Sequence, residues 1–464
     1  MKNILIAIRS IFKKGRHNVM KIVSLGIGLA VGLVLIAKVY FEQSYDDFYP
    51  DRDRVYQVWA KYQQNGGELK DYPQTSGGIA PTMQQQIPEI ETVTRYTSFG
   101  DWTFTMTDTK MKYSGRCIIA DSCFFDILPR PMLIGNAKEV LSTPMYVLIS
   151  SRIAKNIGGD VIGKNFTVDN SPGRTMTIGG VFEEVPENSH SRYDVIVSMA
   201  SAGRFMWEGS PTNMLGNDRY ISYVKLHKGV NPLALEEQVR TFVNSYFPPE
   251  EQQKVGLSID FSFHKLDNLH KELPQVKRMT WILSLLAFAL IFTAVMNYIL
   301  IVISSIVNRS KEVAVHKCYG ASENNIHGMM FGEALVHIVL SLILALLLIL
   351  AFRGTVEELL ATSLDSLLLS NGSLVLLGIC ILVFFVSGFM PGSLYARIPV
   401  ASAFRNYREN KRIWKKALLL VQFVATGFLV TMLVFVARQY TFMVNDRPGY
   451  AYENLAYCGL AGVD

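Results

Sequence analysis

The sequence predicts a membrane protein that combines an α-helical transmembrane bundle with a mixed α+β extracytoplasmic domain, inserted between the first and second spans. Three observations support this fold class. Half of the 464 residues are hydrophobic and the mean hydropathy is positive, which is unusual for a soluble chain. Five apolar runs have about the length needed to cross roughly 30 Å of hydrocarbon as helix. Residues 42–275 are patterned instead like a separate folded domain.

The apolar runs define five predicted spans, at 18–41, 278–307, 325–352, 373–397 and 417–438. The first has an uncharged core flanked by Lys21 and Lys38, whose long side chains can reach the membrane interface. The third contains Glu333 and His337. Because an ionisable group inside a span needs a partner, Glu333 is a candidate intramembrane polar site. It could relay a proton or substrate, but pairing of helices near the cytoplasmic face is the favoured interpretation.

Basic residues set the predicted orientation. They concentrate before the first span, between the second and third, and between the fourth and fifth, so these segments are predicted to be cytoplasmic. The loop 353–372 and the segment 42–275 then lie outside, and the N-terminus lies inside. Residues 1–17 have helical apolar spacing, which predicts a cytoplasmic amphipathic helix on the membrane surface, with a disordered basic tail as the alternative. Because the positive charge lies beside apolar runs, it indicates membrane lipid and argues against nucleic acid as a partner.

The segment 42–275 shows alternating strand and helix patterns. Strands are predicted at 54–61, 90–97, 175–182, 193–197, 220–227 and 257–266, and helices at 80–86 and 232–246. Asn231 is a natural N-cap for the second of these helices. Cys117 and Cys123 are the one pair that could meet to form a disulfide, but two free thiols in a domain that is stable without a bridge are the favoured interpretation.

Two motifs in this segment suggest chemistry that their context does not support. Residues 158–165 nearly match a phosphate-binding loop, but Asn165 replaces the Ser or Thr that would hold magnesium, and a strand pattern follows. Ser189, His190 and Asp194 lie close in sequence, whereas catalytic triads are assembled from distant residues. We therefore predict a glycine turn and a polar loop, no catalytic or metal site, and no cofactor bound by this chain.

An ordered set of motifs along the whole chain resembles the permease subunits of MacB/FtsX-type ABC transporters. Residues 44–58, 123–141 and 180–198 resemble that family's periplasmic core domain. The segment between spans two and three matches the pattern R-x-x-E-[IV]-x-x-x-[KR]-x-x-G-A, and the third span begins with a similar F-G-E-A-L. The end of the fourth span is similar to the family's exit motif, through Gly388, Pro391, Ala396, Pro399, Val400, Ala403 and Arg405.

The resemblance implies a separate cytoplasmic ABC ATPase dimer that binds ATP–Mg, so this chain is expected not to be an enzyme. A partner of that kind needs a rigid element to push on. The segment 308–324 can supply one, because 309–319 lacks Pro and Gly and Gly320 can end a helix. Its predicted ATPase-coupling residues are Arg309, Glu312, Val313, His316, Lys317 and Gly320. The alternative is a basic loop that touches only lipid head groups.

The resemblance further implies mechanotransmission, in which the external domain acts on a substrate outside the membrane. We expect an inner-membrane protein that exports antimicrobial peptides or macrolide-like compounds, with a periplasmic adaptor as an optional partner. Lipoprotein release and regulation of cell-wall hydrolases remain open, and a membrane-anchored sensor is the alternative from another class.

A fifth span exceeds the usual four of this family. Residues around 29–46 align with 429–446 after a shift of 400, which suggests a second unit joined through a cytoplasmic linker at 398–416. Residues 439–464 would then begin a second extracytoplasmic domain, and the whole permease would contain two such units or be a homodimer.

Overall fold

A computed structural model describes residues 17–168, 171–216, 218–369, 372–396, 400 and 413–445. The described residues form two compact units: a membrane unit, which comprises residues 17–43 and the described ranges between 274 and 445, and an inserted domain, Ser44–Leu273. The predicted amphipathic helix at 1–17 lies outside the described residues except for His17. Most of the linker 398–416 and residues 446–464 of the predicted second domain also lie outside them.

The described helices begin and end close to the predicted positions in the membrane unit. In chain order the helices are α1 (Asn18–Gln43), α2 (Ile79–Gln86), α3 (Phe124–Ile127), α4 (Ala137–Ser142), α5 (Ser151–Ile157), α6 (Ala202–Phe205), α7 (Glu236–Tyr246), α8 (Pro249–Val255), α9 (Pro274–Ser304), α10 (Ile306–Cys318), α11 (Glu323–Ala351), α12 (Arg353–Leu360), α13 (Leu364–Leu368), α14 (Ser373–Ala396) and α15 (Ile413–Asn445).

Five of the helices in the described ranges, α1, α9, α11, α14 and α15, are long and apolar enough to cross a membrane. Helix α1 packs against both α9 and α11. Its glycines allow a very close approach: a Cβ added at Gly28 would lie 2.2 Å from the Cβ of Ala294, and one at Gly32 would lie 2.4 Å from Ile291 Cγ1. Small residues four apart are a usual basis for tight helix pairing in lipid.

Helix α15 is the most exposed of the five spans. None of its described side chains is buried, and it contacts α9, where the side-chain amide of Gln422 donates a hydrogen bond to that of Asn297. Between α11 and α14, the predicted external loop 353–372 contains the two short helices α12 and α13.

The inserted domain is built on one mixed sheet with eleven strands among its described residues. In chain order the strands are β1 (Val55–Gln64), β2 (Lys70–Tyr72), β3 (Ile90–Met106), β4 (Lys112–Ala120), β5 (Met132–Ile134), β6 (Tyr146–Ser150), β7 (Asn165–Val168), β8 (Ser171–Phe182), β9 (Val195–Ser198), β10 (Ile221–Leu226) and β11 (Leu257–Lys265). Their spatial order is β11-β1-β10-β3-β4-β9-β6-β8-β5, with β2 beside β1 and β7 beside β3 and β8.

The central strands are continuous apolar runs because both of their faces are buried. In β6, Val147 and Ile149 face one hydrophobic cluster while Leu148 faces another on the opposite side of the sheet. In β9, Ile196 likewise faces the second cluster, whereas the residues before and after it face the first. Successive side chains of a strand point to opposite faces, so a strand covered on both faces is apolar throughout. At the other end of the sheet, α2 and α7 cover one face with Met83 and Phe242.

Candidate functional site

The candidate coupling helix α10 begins at a break in the second span. Ser305 separates it from α9, and the Ser305 amide donates a hydrogen bond to the Val302 carbonyl over 3.2 Å. The Tyr395 hydroxyl, from α14, donates to the same carbonyl over 3.0 Å and lies 3.1 Å from Ser305 Oγ. Tyr395 is completely buried. A side chain of the fourth span therefore fixes the angle at which α10 leaves α9.

The other end of α10 is closed by a Schellman cap. Gly320 has φ +85°, its amide donates to the Lys317 carbonyl over 3.0 Å, and the Ala321 amide donates to the His316 carbonyl over 3.0 Å. These are the two bonds that define the motif, and the left-handed position favours glycine. Ser322 then caps α11, since its Oγ accepts a hydrogen bond from the Asn325 amide. The connection from α10 to α11 is thus short, and the hydrogen bonds of the two caps fix its backbone conformation.

The two faces of α10 differ. Val313 and Ala314 are 1% exposed and pack into the core of the membrane unit, together with Tyr395. Val315, His316 and Tyr319 are exposed, and Tyr319 reaches 88%. Val313 therefore anchors the helix, which corrects its predicted placement among residues that contact a partner.

Three further predicted coupling residues lie at the margin of the exposed face or outside the described side chains. Glu312 and Lys317 are half-buried. Arg309 belongs to α10, but its side chain lies outside the part of the chain that the structure describes. The structure adds Val315 and Tyr319, which the sequence patterns did not single out. Their side-chain exposure, which only the structure shows, was the missing signal.

Glu333 lies in a polar cluster inside the membrane unit. Its carboxylate is 3.7 Å from Lys21 Nζ, and the two side chains are 7% and 1% exposed. Lys21 also donates to Asn18 Oδ1 over 3.2 Å. Lys21 is thus buried against polar partners in α1 and α11, which corrects the prediction that it reaches the membrane interface.

Two further polar residues follow Glu333 on the same face of α11, four and eight residues later. His337 is completely buried, with its Nδ1 3.2 Å from the Tyr298 hydroxyl of α9, and Ser341 Oγ donates to the Ile22 carbonyl of α1 over 3.1 Å. Residues at i and i+4 lie on one helix face, so Glu333, His337 and Ser341 form a column. This column connects α11 with both α1 and α9.

Lys38, at the other end of α1, is also buried. Its ammonium group lies 2.6 Å from Glu42 and donates to the Thr362 hydroxyl over 2.8 Å. Thr362 lies between α12 and α13 in the predicted external loop. Both flanking lysines of the first span therefore form contacts inside the helical unit.

In the inserted domain, a buried carboxylate holds the segment that follows α1 in place through hydrogen bonds. Asp46 is completely buried, with φ +61°. Its carboxylate accepts hydrogen bonds from Ser189 Oγ and the His190 amide, each over 3.2 Å, and lies 2.8 Å from His190 Nδ1. The second ring nitrogen, Nε2, is 2.5 Å from the Tyr223 hydroxyl. Burial raises the pKa of Tyr223 well above its ordinary value, so the phenol keeps its proton.

His190 and Asp194, which are close in sequence, have different partners. His190 contacts Asp46, while Asp194 lies 2.6 Å from Arg152 and accepts from the Arg116 amide over 3.0 Å. Sequence reasoning missed Asp46 because it lies 144 residues from its partner. The glycine turn at 158–165 is present, with φ between +67° and +75° at Gly158, Gly159 and Gly163, and β7 follows. Cys117 and Cys123 are both free thiols.

A network of charges connects the two ends of the inserted domain. Lys271 Nζ lies 3.2 Å from Asp47 and 2.8 Å from Asp267, and Arg52 lies 3.2 Å from Asp47 and 3.7 Å from Asp267. We call these four residues the clasp. Beside it, the rings of Tyr45 and His270 stack with centroids 3.4 Å apart. The clasp joins the segment that follows α1 to the segment that precedes α9.

Together these features define a multi-pass membrane protein with a folded domain inserted between its first two spans. A profile described as the MacB-like periplasmic core domain matches residues 20–242, and one described as the FtsX-like permease C-terminal matches 284–400. The chain belongs to the MacB/FtsX family of ABC transporter permeases, which confirms the resemblance found in its motifs. Permeases of this family are typically not enzymes themselves, and the family implies an ABC ATPase as partner.

Two solved structures are similar to part of the chain. A domain of a protein described as a permease, from Porphyromonas gingivalis, is 33% identical, with a TM-score of 0.43, and the match covers 47% of this chain and 91% of that one. The extracellular domain of the ABC-type transporter YknZ from Gram-positive bacteria is 11% identical, with a TM-score of 0.32, and the match covers 44% and 98%. No curated protein matches the chain.

Proposed function

We propose that this permease transmits the movement of a separate cytoplasmic ATPase dimer to its inserted domain. The protein would lie in the inner membrane of the cell, with its N-terminus in the cytoplasm. The observation that supports this proposal best is the construction of α10. It is fixed at its start by Tyr395, closed at its end by Gly320 and anchored by Val313. A short helix held at three points can transmit a displacement without bending.

The exposed face of α10 has the chemistry of a protein contact. Val315 and Tyr319 are apolar and exposed, beside His316 and Lys311. A segment that touched only head groups would need basic residues, whereas exposed aromatic and aliphatic side chains are typical of the anchors of protein interfaces. ATP–Mg would bind to the partner, and this chain would contribute the docking helix.

Movement would reach the inserted domain through α1 and α9. The close packing at Gly28 and the polar column at Glu333 connect α1 with α9 and α11. Within the inserted domain, the clasp and the Asp46 site hold the segments that continue into α1 and α9. A relative shift of these two spans would therefore act on the whole domain. We propose efflux of antimicrobial peptides or macrolide-like compounds as the use of this movement.

The outward face of α15 supports a further part of the proposal. A span with no buried side chain has a large apolar surface available. A second permease unit or a second copy of the chain would pack there. A periplasmic adaptor would act on the inserted domain.

The docking role of α10 can be tested by purifying the tagged chain from its native host and measuring the amount of co-purified ABC ATPase. We expect Val315→Ser combined with Tyr319→Ser to remove most of the ATPase, because the apolar anchors are lost while buried residues are untouched. The matched control is Leu359→Ser in α12, which is 78% exposed and lies in the predicted external loop.

Retention of the ATPase by the Val315/Tyr319 variant would contradict the docking role. The pair Glu312→Ala and Lys317→Ala offers a second comparison. Since both residues are half-buried, we expect this pair to weaken the association less than the exposed pair does.

A further inference from the structure

The inserted domain contains a cleft beside the Asp46 site, and the proposed coupling mechanism assigns no ligand to it. It has a volume of about 490 Å³, and its lining includes Arg116, Arg192, His190 and His270. No Asp or Glu side chain lines it. A concave site with two guanidinium groups, two imidazoles and no carboxylate attracts anions.

The charges of the two arginines are not neutralised within the described part of the domain. Arg192 donates a hydrogen bond to the Glu187 carbonyl, and the guanidinium of Arg116 has no hydrogen-bond or ion-pair partner there. Five other arginines of the domain are paired with carboxylates. They are Arg52, Arg54, Arg95, Arg130 and Arg152. Arg116 and Arg192 differ from these five, so the cleft keeps their positive charge.

Two acids that contact residues of the cleft, Asp46 and Asp194, are already satisfied by other groups. Asp46 lies behind His190, is completely buried and accepts three hydrogen bonds. Asp194 interacts with the Arg116 backbone, but its carboxylate pairs with the guanidinium of Arg152. Neither lines the cleft, so neither competes with a ligand for the two guanidinium groups.

An indole N–H adds a neutral donor to the site. Trp59 lines the cleft, and its Nε1 is buried without an acceptor in the described ranges of the chain. A buried donor without an acceptor costs free energy, and a bound acceptor would remove that cost. The ring itself is held in place, since His264 stacks on it with centroids 4.2 Å apart.

We propose that this cleft binds a phosphate-bearing anion, and that its source is the head group of an anionic lipid. Guanidinium groups bind phosphate oxygens in a bidentate manner, which makes arginine well suited to this ligand. Tyr45 lines the cleft two residues after α1 ends, and Leu273 lines it directly before α9. The cleft is therefore built partly by the segments that continue into membrane spans, and such basic sites suit lipid head groups. The proposal does not depend on the role of α10.

The test is a binding titration of the full-length chain in detergent micelles. The probes are short-chain phosphatidylglycerol, short-chain phosphatidylcholine and inorganic phosphate. We expect phosphatidylglycerol to bind most tightly. Arg116→Gln combined with Arg192→Gln should weaken its binding by about tenfold or more, because two charge-assisted hydrogen bonds are lost. Trp59→Phe, which keeps the ring and removes the N–H, should weaken binding by roughly three- to tenfold.

The matched control is Arg240→Gln, a change of one exposed arginine on α7. It should leave the affinity unchanged, and all variants should keep the circular dichroism spectrum of the wild type. Binding by the double variant within about twofold of wild type would overturn the proposal. An equal loss in the control would also overturn it. If inorganic phosphate bound as tightly as phosphatidylglycerol, the assignment to a lipid would be wrong.

Discussion

Two oppositely charged side chains, Lys21 and Glu333, are buried inside the membrane unit, where neither could remain alone. Their charged atoms are 3.7 Å apart, and Asn18 accepts a further bond from the ammonium group. Desolvating a charge is expensive, so a buried pair contributes little net stability, whereas removal of one partner leaves an uncompensated charge. This asymmetry provides a way to separate helix pairing from a relay of protons.

We predict that Glu333→Gln destabilises the protein by roughly 3–5 kcal/mol, because it leaves the Lys21 charge unbalanced. Addition of Lys21→Met should restore much of the loss. The measurement is thermal unfolding in detergent micelles for the two single variants and the double variant. The ATPase activity of the complex with the partner should follow the same order.

A relay of protons would give a different pattern. The double variant would then be stable and would retain the ATPase, but it would lose transport together with any dependence of transport on pH. That result would make the assignment of Glu333 to helix pairing wrong.

At the scale of the elements, α1 packs very closely against α9 because of its glycines. A methyl group at Gly28 would overlap the Ala294 side chain of α9. We predict that Gly28→Ala destabilises the membrane unit by about 1–3 kcal/mol, since the helices must separate to admit the added atom. Ala294→Gly in the same chain should restore stability, because it removes the overlapping methyl group. The readout is again the unfolding midpoint in detergent.

The control for this prediction is Gly378→Ala in α14, where an added Cβ meets no atom within 4 Å. Alanine also favours helix more than glycine does, so this change should be neutral or slightly stabilising. Equal losses at Gly28 and Gly378 would show that the effect has nothing to do with the contact between α1 and α9.

The elements also show what could be predicted from the sequence. Apolar runs located all five spans, and Gly320 marked the end of α10, because both signals are local. The start of α10 was predicted at Arg309, three residues late, since nothing in Ser304-Ser305-Ile306 breaks a helix. That break is stabilised by Tyr395, which lies 90 residues further along the chain from Ser305. A contact between residues that are far apart in sequence produces no local periodicity, so it cannot be predicted from the pattern of one sequence.

The same distinction applies to the candidate sites. An ionisable residue inside an apolar run marked Glu333 as a candidate site. Its partner Lys21 was interpreted as a flanking residue, because pairing depends on how α1 and α11 pack. Val313 matched a motif, yet only burial shows that it faces the core. Asp46 and the cleft around Arg116 were missed for a similar reason: strands distant in sequence bring their residues together.

At the scale of the whole molecule, the proposed mechanism requires that the inserted domain respond as one body to movements of α1 and α9. The clasp is the feature of the domain that joins the two connecting segments, through Asp47, Lys271 and their two neighbours. Individual exposed ion pairs contribute little, but a network of four charges fixes the segments relative to each other. Reversal of one charge should therefore affect transmission more than stability.

We predict that Asp47→Lys uncouples the inserted domain from the ATPase, because it places a third cation beside Arg52 and Lys271. Spin labels at Leu233 and Leu359, both exposed, would report the distance between the inserted domain and the membrane unit. In the wild-type complex, ATP should shift this distance distribution. In Asp47→Lys the shift should be reduced, while ATP hydrolysis by the partner continues.

Charge exchange distinguishes transmission through the clasp from a general effect of added charge. Exchange of all four charges, Asp47→Lys and Asp267→Lys with Arg52→Asp and Lys271→Asp, makes every contact of the clasp attractive again and should restore the ATP-dependent shift. Asp101→Lys, at an exposed position of β3, is the matched control and should behave like the wild type. If Asp47→Lys retained the full shift, the connection between the two segments would not need the clasp. Transmission would then depend on the buried Asp46 site, whose bonds to His190 and Ser189 hold the segment after α1 independently of surface charge.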